Sequence, residues 1–382
     1  MSNKTILNLY ERLEALVSKL PAPLQKPILQ ELTPVKNLFL RQRSPRIVIA
    51  GEAGACKAQL LNALFNAGIP QADAELPDAS GWHEFPIGNR GSVHLLDARA
   101  ASSGDAAVKS ALAEEEPDVF LFLRSSSAID DALAADIAHF NAIIEFMNTR
   151  GAARQAVVGV LIKGEYEEGM EQARVQLDSC LHTKPAVSER LAKTMAITAA
   201  TRFRLDGSVD TESIERRNVD RLAQVIAEEL PEEARLEMAR LSGAREVQEK
   251  IAQTLIKAFT AMCAAIGVQP IPLADFPILT ALQVVMISGI IYTSGRRMSI
   301  KLGAEFMATL GANVGAALAL REGSRALWRL LPVWGNVISG AIAGGGTYAL
   351  GRAASAYFIE GVDIKDARKL FRRKSRRETL RN

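Results

Sequence analysis

Between residues 45 and 230, short apolar runs alternate with stretches in which apolar positions recur every three or four residues. A strand covered on both faces of a parallel sheet reads as a continuous apolar run, whereas a helix repeats about every 3.6 residues. The pattern therefore predicts strands over 46–50, 92–96, 118–123, 156–162 and 194–198. It predicts helices near 57–67, 105–114, 129–149, 168–180 and 216–229. Strand and helix in alternation specify a doubly wound α/β domain, whose ligand edge lies at the C-terminal ends of the strands.

The flanking segments have other patterns. Ile6, Leu9, Tyr10, Leu13, Leu16, Val17 and Leu20 describe an amphipathic helix, ended by Pro21, Pro23 and Pro27, and a second short apolar stretch runs to about Leu40. Residues 1–44 are thus expected to be helices packed on the next domain, with a partner or a membrane surface as the other use of such a face. From Pro231 a long helix is predicted, with Glu232, Glu233 and Glu237 complementing its N-terminal dipole, continuing past Gly243 towards Ile266. Two uncharged stretches follow, Phe276–Gly295 and Leu330–Gly351, each long enough to raise the question of membrane spanning.

Charge tempers that question. Residues 296–329 hold Arg296, Arg297, Lys301, Arg321, Arg325 and Arg329 against Glu305 and Glu322. A two-span hairpin would leave either this short basic segment or the basic tail on the translocated side, against the positive-inside rule. Pro277, Pro332 and many glycines suit a broken, packed helical domain over 231–362, buried or inserted in one leaflet. The expected organisation is N-terminal helices to 44, an α/β domain over 45–230, an all-α, strongly apolar domain over 231–362, and a basic tail over 363–382.

Composition narrows the class further. The 382 residues are 48% hydrophobic and only 5% aromatic, with a net charge of +3 that conceals the basic C-terminal end. Three distant cysteines, Cys56, Cys180 and Cys263, form no CxxC pair, which points to a reducing compartment rather than a disulfide or zinc framework. No secretory signal pattern is read in the first twenty residues, so a cytosolic address is expected, with the membrane surface as the other place for the chain. His83, His94, His139 and His182 lack metal spacing, and no Ser/His/Asp array is found.

The segment Arg46 to Phe65 carries the chemistry. Gly51-Glu52-Ala53-Gly54-Ala55-Cys56-Lys57-Ala58 follows an apolar strand and precedes a helix. A phosphate-binding loop reads G-x-x-x-x-G-K-[ST], with backbone N–H groups and the lysine on the phosphates and the hydroxyl on Mg²⁺. Here Cys56 replaces the second glycine and Ala58 the hydroxyl residue. Cys56 beside a lysine at a helix N-terminus also has thiolate-favouring surroundings, although a small gap-filling role is its ordinary use.

In the order of these motifs the α/β domain resembles the Era-like GTPases. The resemblance implies that the family's D-x-x-G is represented by Asp97-Ala98-Arg99-Ala100, and its N-K-x-D by Ile162-Lys163-Gly164-Glu165. Its S-A-x motif is represented loosely by Thr198-Ala199-Ala200. It assigns Gly51, Gly54, Lys57, Asp97, Lys163 and Glu165 to nucleotide, with GTP or GDP as the ligand and Mg²⁺ disfavoured, since Ala58 offers no oxygen. Ala100 lacks the conformational range of glycine, and Ile162 cannot hydrogen-bond to a base. With four positions lost together, Mg-dependent hydrolysis is not expected, and a divergent but active GTP-binding protein is the competing reading.

Residues 235–360 resemble the helical domain of unknown function found behind such GTPase domains and in YcjF-like inner-membrane proteins. The resemblance rests on Gln269-Pro270-Ile271-Pro272-Leu273-Ala274-Asp275, Leu279 to Val284, Leu331-Pro332-Val333-Trp334-Gly335 and Thr347 to Phe358. It implies membrane association without catalysis. The tail residues Arg372, Arg373, Lys374, Arg376 and Arg377 suit an anionic membrane, where each basic residue contributes about 1 kcal/mol. RNA or the ribosome is the rival polyanion, disfavoured because no aromatic interleaving accompanies the charge; a disordered solubilising tail is the third use. A protein partner and self-association complete the expectation of a regulatory or scaffolding protein.

Overall fold

The computed structural model describes residues 11, 14–15, 17–18, 22–52, 57–67, 81–99, 105–125, 130–151, 154–200, 215–267, 275–311 and 336–379. The chain forms two compact units, Met1–Gln42 together with Gln248–Asn382, and Arg43–Val247. The second boundary between these units falls at 247/248.

The middle unit is built on a mixed seven-stranded sheet. Its strands are β1 (Arg46–Gly51), β2 (His83–Ile87), β3 (Gly91–Asp97), β4 (Val119–Arg124), β5 (Ala156–Lys163), β6 (Leu191–Ala200) and β7 (Glu215–Arg217). Their spatial order is β2-β3-β1-β4-β5-β6-β7. The five central strands run parallel, while β2 and β7 lie antiparallel at the two edges. The helices between them are α2 (Lys57–Phe65), α3 (Asp105–Glu114), α4 (Asp131–Thr149), α5 (Met170–His182), α6 (Pro185–Ser188), α7 (Val219–Glu229) and α8 (Glu232–Ser242). Helix α1 (Ala22–Leu40) belongs to the other unit.

Burial explains why the central strands read as unbroken apolar runs. Val48, Ala50, Phe120 and Phe122 join a core with Leu112 of α3, Phe140 of α4 and Leu181 of α5. Their alternates Ile47, Ile49, Leu121 and Leu123 are equally buried. Both faces are therefore covered, and no position of β4 is left to solvent. The edge strands escaped the sequence pattern, because β2 alternates with Glu84 and Pro86 and β7 has only three residues.

The long helix expected from 231 is two helices. Gly243 ends α8 in the left-handed region at φ +69°, and α9 (Arg245–Gly267) starts afresh. Helix α8 belongs with the sheet, where Arg90 donates to the Leu241 carbonyl at 2.9 Å and Arg240 pairs with Glu237.

In the other unit, α1 carries Pro27, expected to end a helix, and Pro34 inside it. Its buried stripe of Ile28, Leu32, Val35 and Phe39 compensates for the lost hydrogen bonds. Phe39 meets Tyr292 edge-on at 5.9 Å, and the Tyr292 hydroxyl exchanges hydrogen bonds with Gln42. Tyr292 belongs to α10 (Asp275–Thr293), which is followed by α11 (Ile300–Gly311), α12 (Asn336–Phe358) and α13 (Ile364–Thr379).

Small residues let these helices approach closely. A Cβ on Gly344 would sit 3.0 Å from Ala264, and one on Gly351 would press on Ile256 at 2.6 Å. Gln283 and Thr347 hydrogen-bond across α10 and α12 at 2.9 Å. Among the described residues, no helix is long and apolar enough to cross a membrane. The motif segments 269–274 and 331–335 and most of the predicted helix at 6–20 lie outside the described residues.

Candidate functional site

Three adjacent parallel strands, β3, β1 and β4, bring their C-terminal ends together at the edge where a doubly wound sheet takes its ligand. Gly51 ends β1 with φ +99°, and a Cβ there would collide with the Leu123 carbonyl of β4. Glycine is thus required at this position by the neighbouring strand, whatever else the loop does. Gly54 and Cys56 lie outside the described residues, as does Ala100.

Lys57 opens α2 but does not face solvent. It is 5% exposed, and its Nζ lies 2.5 Å from Oδ2 of Asp97 at the end of β3. Arg99 grips the same carboxylate from two sides, with Nε donating to Oδ1 at 2.8 Å and Nη2 to Oδ2 at 2.7 Å. Burial works to raise the Asp97 pKa, but hydrogen bonds from Arg99 and Lys57 outweigh it and hold the carboxyl below its ordinary value. Two sequence-predicted residues therefore meet, and they meet each other.

A third buried cation ends β4, on the other side of β1 from β3. Arg124, at the end of β4, is 3% exposed and faces Glu52 at 3.8 Å, Asp130 at 2.9 Å and Asp136 at 3.4 Å. Glu52 also accepts from the Ser125 N–H at 2.7 Å, closing the turn after β1 onto β4. Asp130 caps α4 by accepting from Leu133 N–H, and this backbone bond leads the causes that lower its pKa. Asp136 is pushed up by burial and by the neighbouring Glu52 and Asp130, against the pull of Arg124. His139 of α4 lies 3.2 Å from the Ala98 carbonyl.

Across this edge three cations, Lys57, Arg99 and Arg124, are set among four carboxylates, Glu52, Asp97, Asp130 and Asp136. The neighbouring segments 53–56, 100–104 and 126–129 contain no charged residue. A triphosphate brings several negative charges, and the described groups offer no net positive charge to meet them.

Ile162, Lys163 and Glu165, expected from sequence to face a base, lie at and just after the end of β5. Ile162 is fully buried in β5, so its side chain serves the core. Lys163 pairs with Glu167 at 3.2 Å, and Glu165 is exposed. Beside them Tyr166 is 60% exposed, with the Arg217 guanidinium 4.1 Å from its ring centroid. In the other unit Arg372 and Arg373 of α13 are exposed; the side chains of Lys374, Arg376 and Arg377 lie outside the described residues. The tail's backbone is helical to Thr379.

Glu52, Arg99, Arg124, Asp130 and Asp136 were missed from sequence. Arg124 carried a signal, as the lone charge closing the apolar run Val119 to Leu123. Among the described residues no group of three or more His, Cys, Asp or Glu side chains is placed to hold a metal ion.

No protein-family model matches the chain. Over 124 residues, 31% of the chain, it is 30% identical to magnetosome membrane protein 22 of Magnetospirillum gryphiswaldense. The aligned part spans 62% of that relative, less than two thirds of its length. Among solved structures, two mutation variants of SsGBP align with TM-scores of 0.30 and 0.29 and identities of 14% and 15%. They cover 56% of this chain, and 64% and 65% of their own.

Proposed function

We propose that this chain is a pseudo-GTPase-like, membrane-associated scaffolding or regulatory protein. Its α/β unit would be a relative of the Era-like GTPases that offers a protein-binding surface and hydrolyses little or no GTP. The observation that carries the proposal is the buried Lys57–Asp97–Arg99 cluster. The lysine that would meet phosphate is neutralised from within the protein, and Ala58 leaves no hydroxyl for Mg²⁺. Membrane association is supported by the partial similarity to a magnetosome membrane protein and by the basic helix α13.

Titration calorimetry with GTP, GDP and ATP, with and without Mg²⁺, tests the site. No heat of binding is expected at micromolar nucleotide. Tight Mg-dependent GTP binding that Lys57→Ala removes would establish the competing reading, a divergent GTP-binding protein coupling nucleotide state to membrane attachment. That reading is favoured by one observation, the place of Lys57 at a helix N-terminus beyond a central strand.

A further inference from the structure

The connection between α10 and α11 forms a compact basic and apolar tip. Gly295 ends α10 in the left-handed region at φ +87°, and Ser299 begins α11 by accepting from the Leu302 N–H at 3.1 Å. Met298 is buried, and the Ser299 carbonyl accepts from the Ser288 hydroxyl at 3.2 Å, so the turn is anchored to α10. What it presents outward is Arg296, Arg297 and then Ile300, Lys301 and Leu302 in the first turn of the helix. Ile300 is 45% exposed and Leu302 37%, among the few large apolar side chains so open in the described residues.

Helical geometry explains the exposure. Gly303, Phe306 and Leu310 form the inward stripe of α11, and Phe306 stacks on Tyr357 and meets Phe358 at a tilt. Ile300 and Leu302 fall on either side of that stripe, with Lys301 between them on the outer face. The Arg296 guanidinium lies over the Phe358 ring at 5.1 Å, which fixes one cation beside the apolar pair. Glu305 is the acidic neighbour, 3.9 Å from Lys301. Over the described residues 296–311, three cations against one carboxylate, around two exposed aliphatic side chains, match an interface that is anionic at its surface and apolar beneath.

We propose that this tip docks on anionic lipid bilayers, with Ile300 and Leu302 entering the headgroup–acyl boundary and Arg296, Arg297 and Lys301 meeting lipid phosphates. The inference rests on the membrane-association reading above and places a contact outside the basic tail.

The test is sedimentation of the full chain with phosphatidylcholine vesicles, with and without phosphatidylserine. The intact protein is expected to partition onto the phosphatidylserine vesicles. Each basic residue removed weakens partitioning about fivefold, so Arg296→Gln with Arg297→Gln reduces it about 25-fold. Ile300→Ser with Leu302→Ser reduces it roughly tenfold and removes the part that survives high salt. Circular dichroism of each variant establishes that it is folded. An environment-sensitive dye on Leu302→Cys should shift to the blue on phosphatidylserine vesicles.

If the intact protein stays in solution, the tip and the membrane reading both fall. If it binds, the tip variants bind equally and only Lys369→Gln with Arg372→Gln loses affinity, the tip falls and the membrane reading stands.

Discussion

Asp97 occupies the centre of the buried site, and its two partners make different predictions for its removal and for theirs. Asp97→Ala leaves Lys57 and Arg99 buried side by side without their shared anion, and such a loss costs about 3–5 kcal/mol. Lys57→Ala leaves the bidentate Arg99–Asp97 pair intact and is expected to cost about 1–2 kcal/mol. Urea unfolding of the two variants measures the difference, and equal costs would refute the arrangement. The pH dependence follows from the sign of the shift. Asp97 is held below its ordinary value when folded, so its contribution is complete above about pH 4. It is lost as pH falls through the folded value. Stability curves should therefore drop at acid pH in the intact protein, with a shallower acid limb in Asp97→Asn.

At the scale of elements, spacing and packing answer different questions. The five parallel strands were legible because their C-terminal halves are buried on both faces, and α3 and α4 because their apolar stripes repeat at helical spacing. The edge strand β2 was not, since its outward Glu84 and its Pro86 dilute the apolar signal. The break between α8 and α9 was written in Gly243, but a glycine inside a charged helical pattern does not announce its φ. At the site, Lys57 and Asp97 could be named from spacing; their pairing could not, because it depends on which strands are neighbours. Helix α12 provides a test of how far packing overrides propensity. Gly346 has open space beyond its Cα, whereas a Cβ on Gly351 would meet Ile256 and the Met286 sulfur. Gly346→Ala is expected to stabilise by about 0.5–1 kcal/mol, and Gly351→Ala to destabilise by about 1–3 kcal/mol. Thermal unfolding should therefore move in opposite directions for the same chemical change five residues apart in one helix, and a common direction would refute the close packing at Gly351.

The chain as a whole has a discontinuous order, because Met1–Gln42 joins Gln248–Asn382 while Arg43–Val247 forms its own unit between them in sequence. The sheet unit has a closed core of its own, drawn entirely from residues 48–196 in its main cluster. The helical unit cannot be closed by its C-terminal part alone, since α1 buries Phe39 against Tyr292 and lays its ring 3.2 Å from where a Cβ on Gly289 would stand. Losing one buried phenylalanine typically costs about 3–5 kcal/mol, and a whole domain is stable by only about 5–15 kcal/mol. Excised 43–247 is therefore expected to unfold cooperatively on its own. A chain lacking 1–41 should keep the sheet unit protected while 248–379 becomes susceptible to limited proteolysis. Supplying 22–42 as a separate peptide should restore protection to some degree, because the stripe of Ile28, Leu32, Val35 and Phe39 is carried by one continuous helix. Protection of 248–379 without residues 1–41 would mean that α10 needs no cover from α1, contrary to the burial of Phe39 and Tyr292.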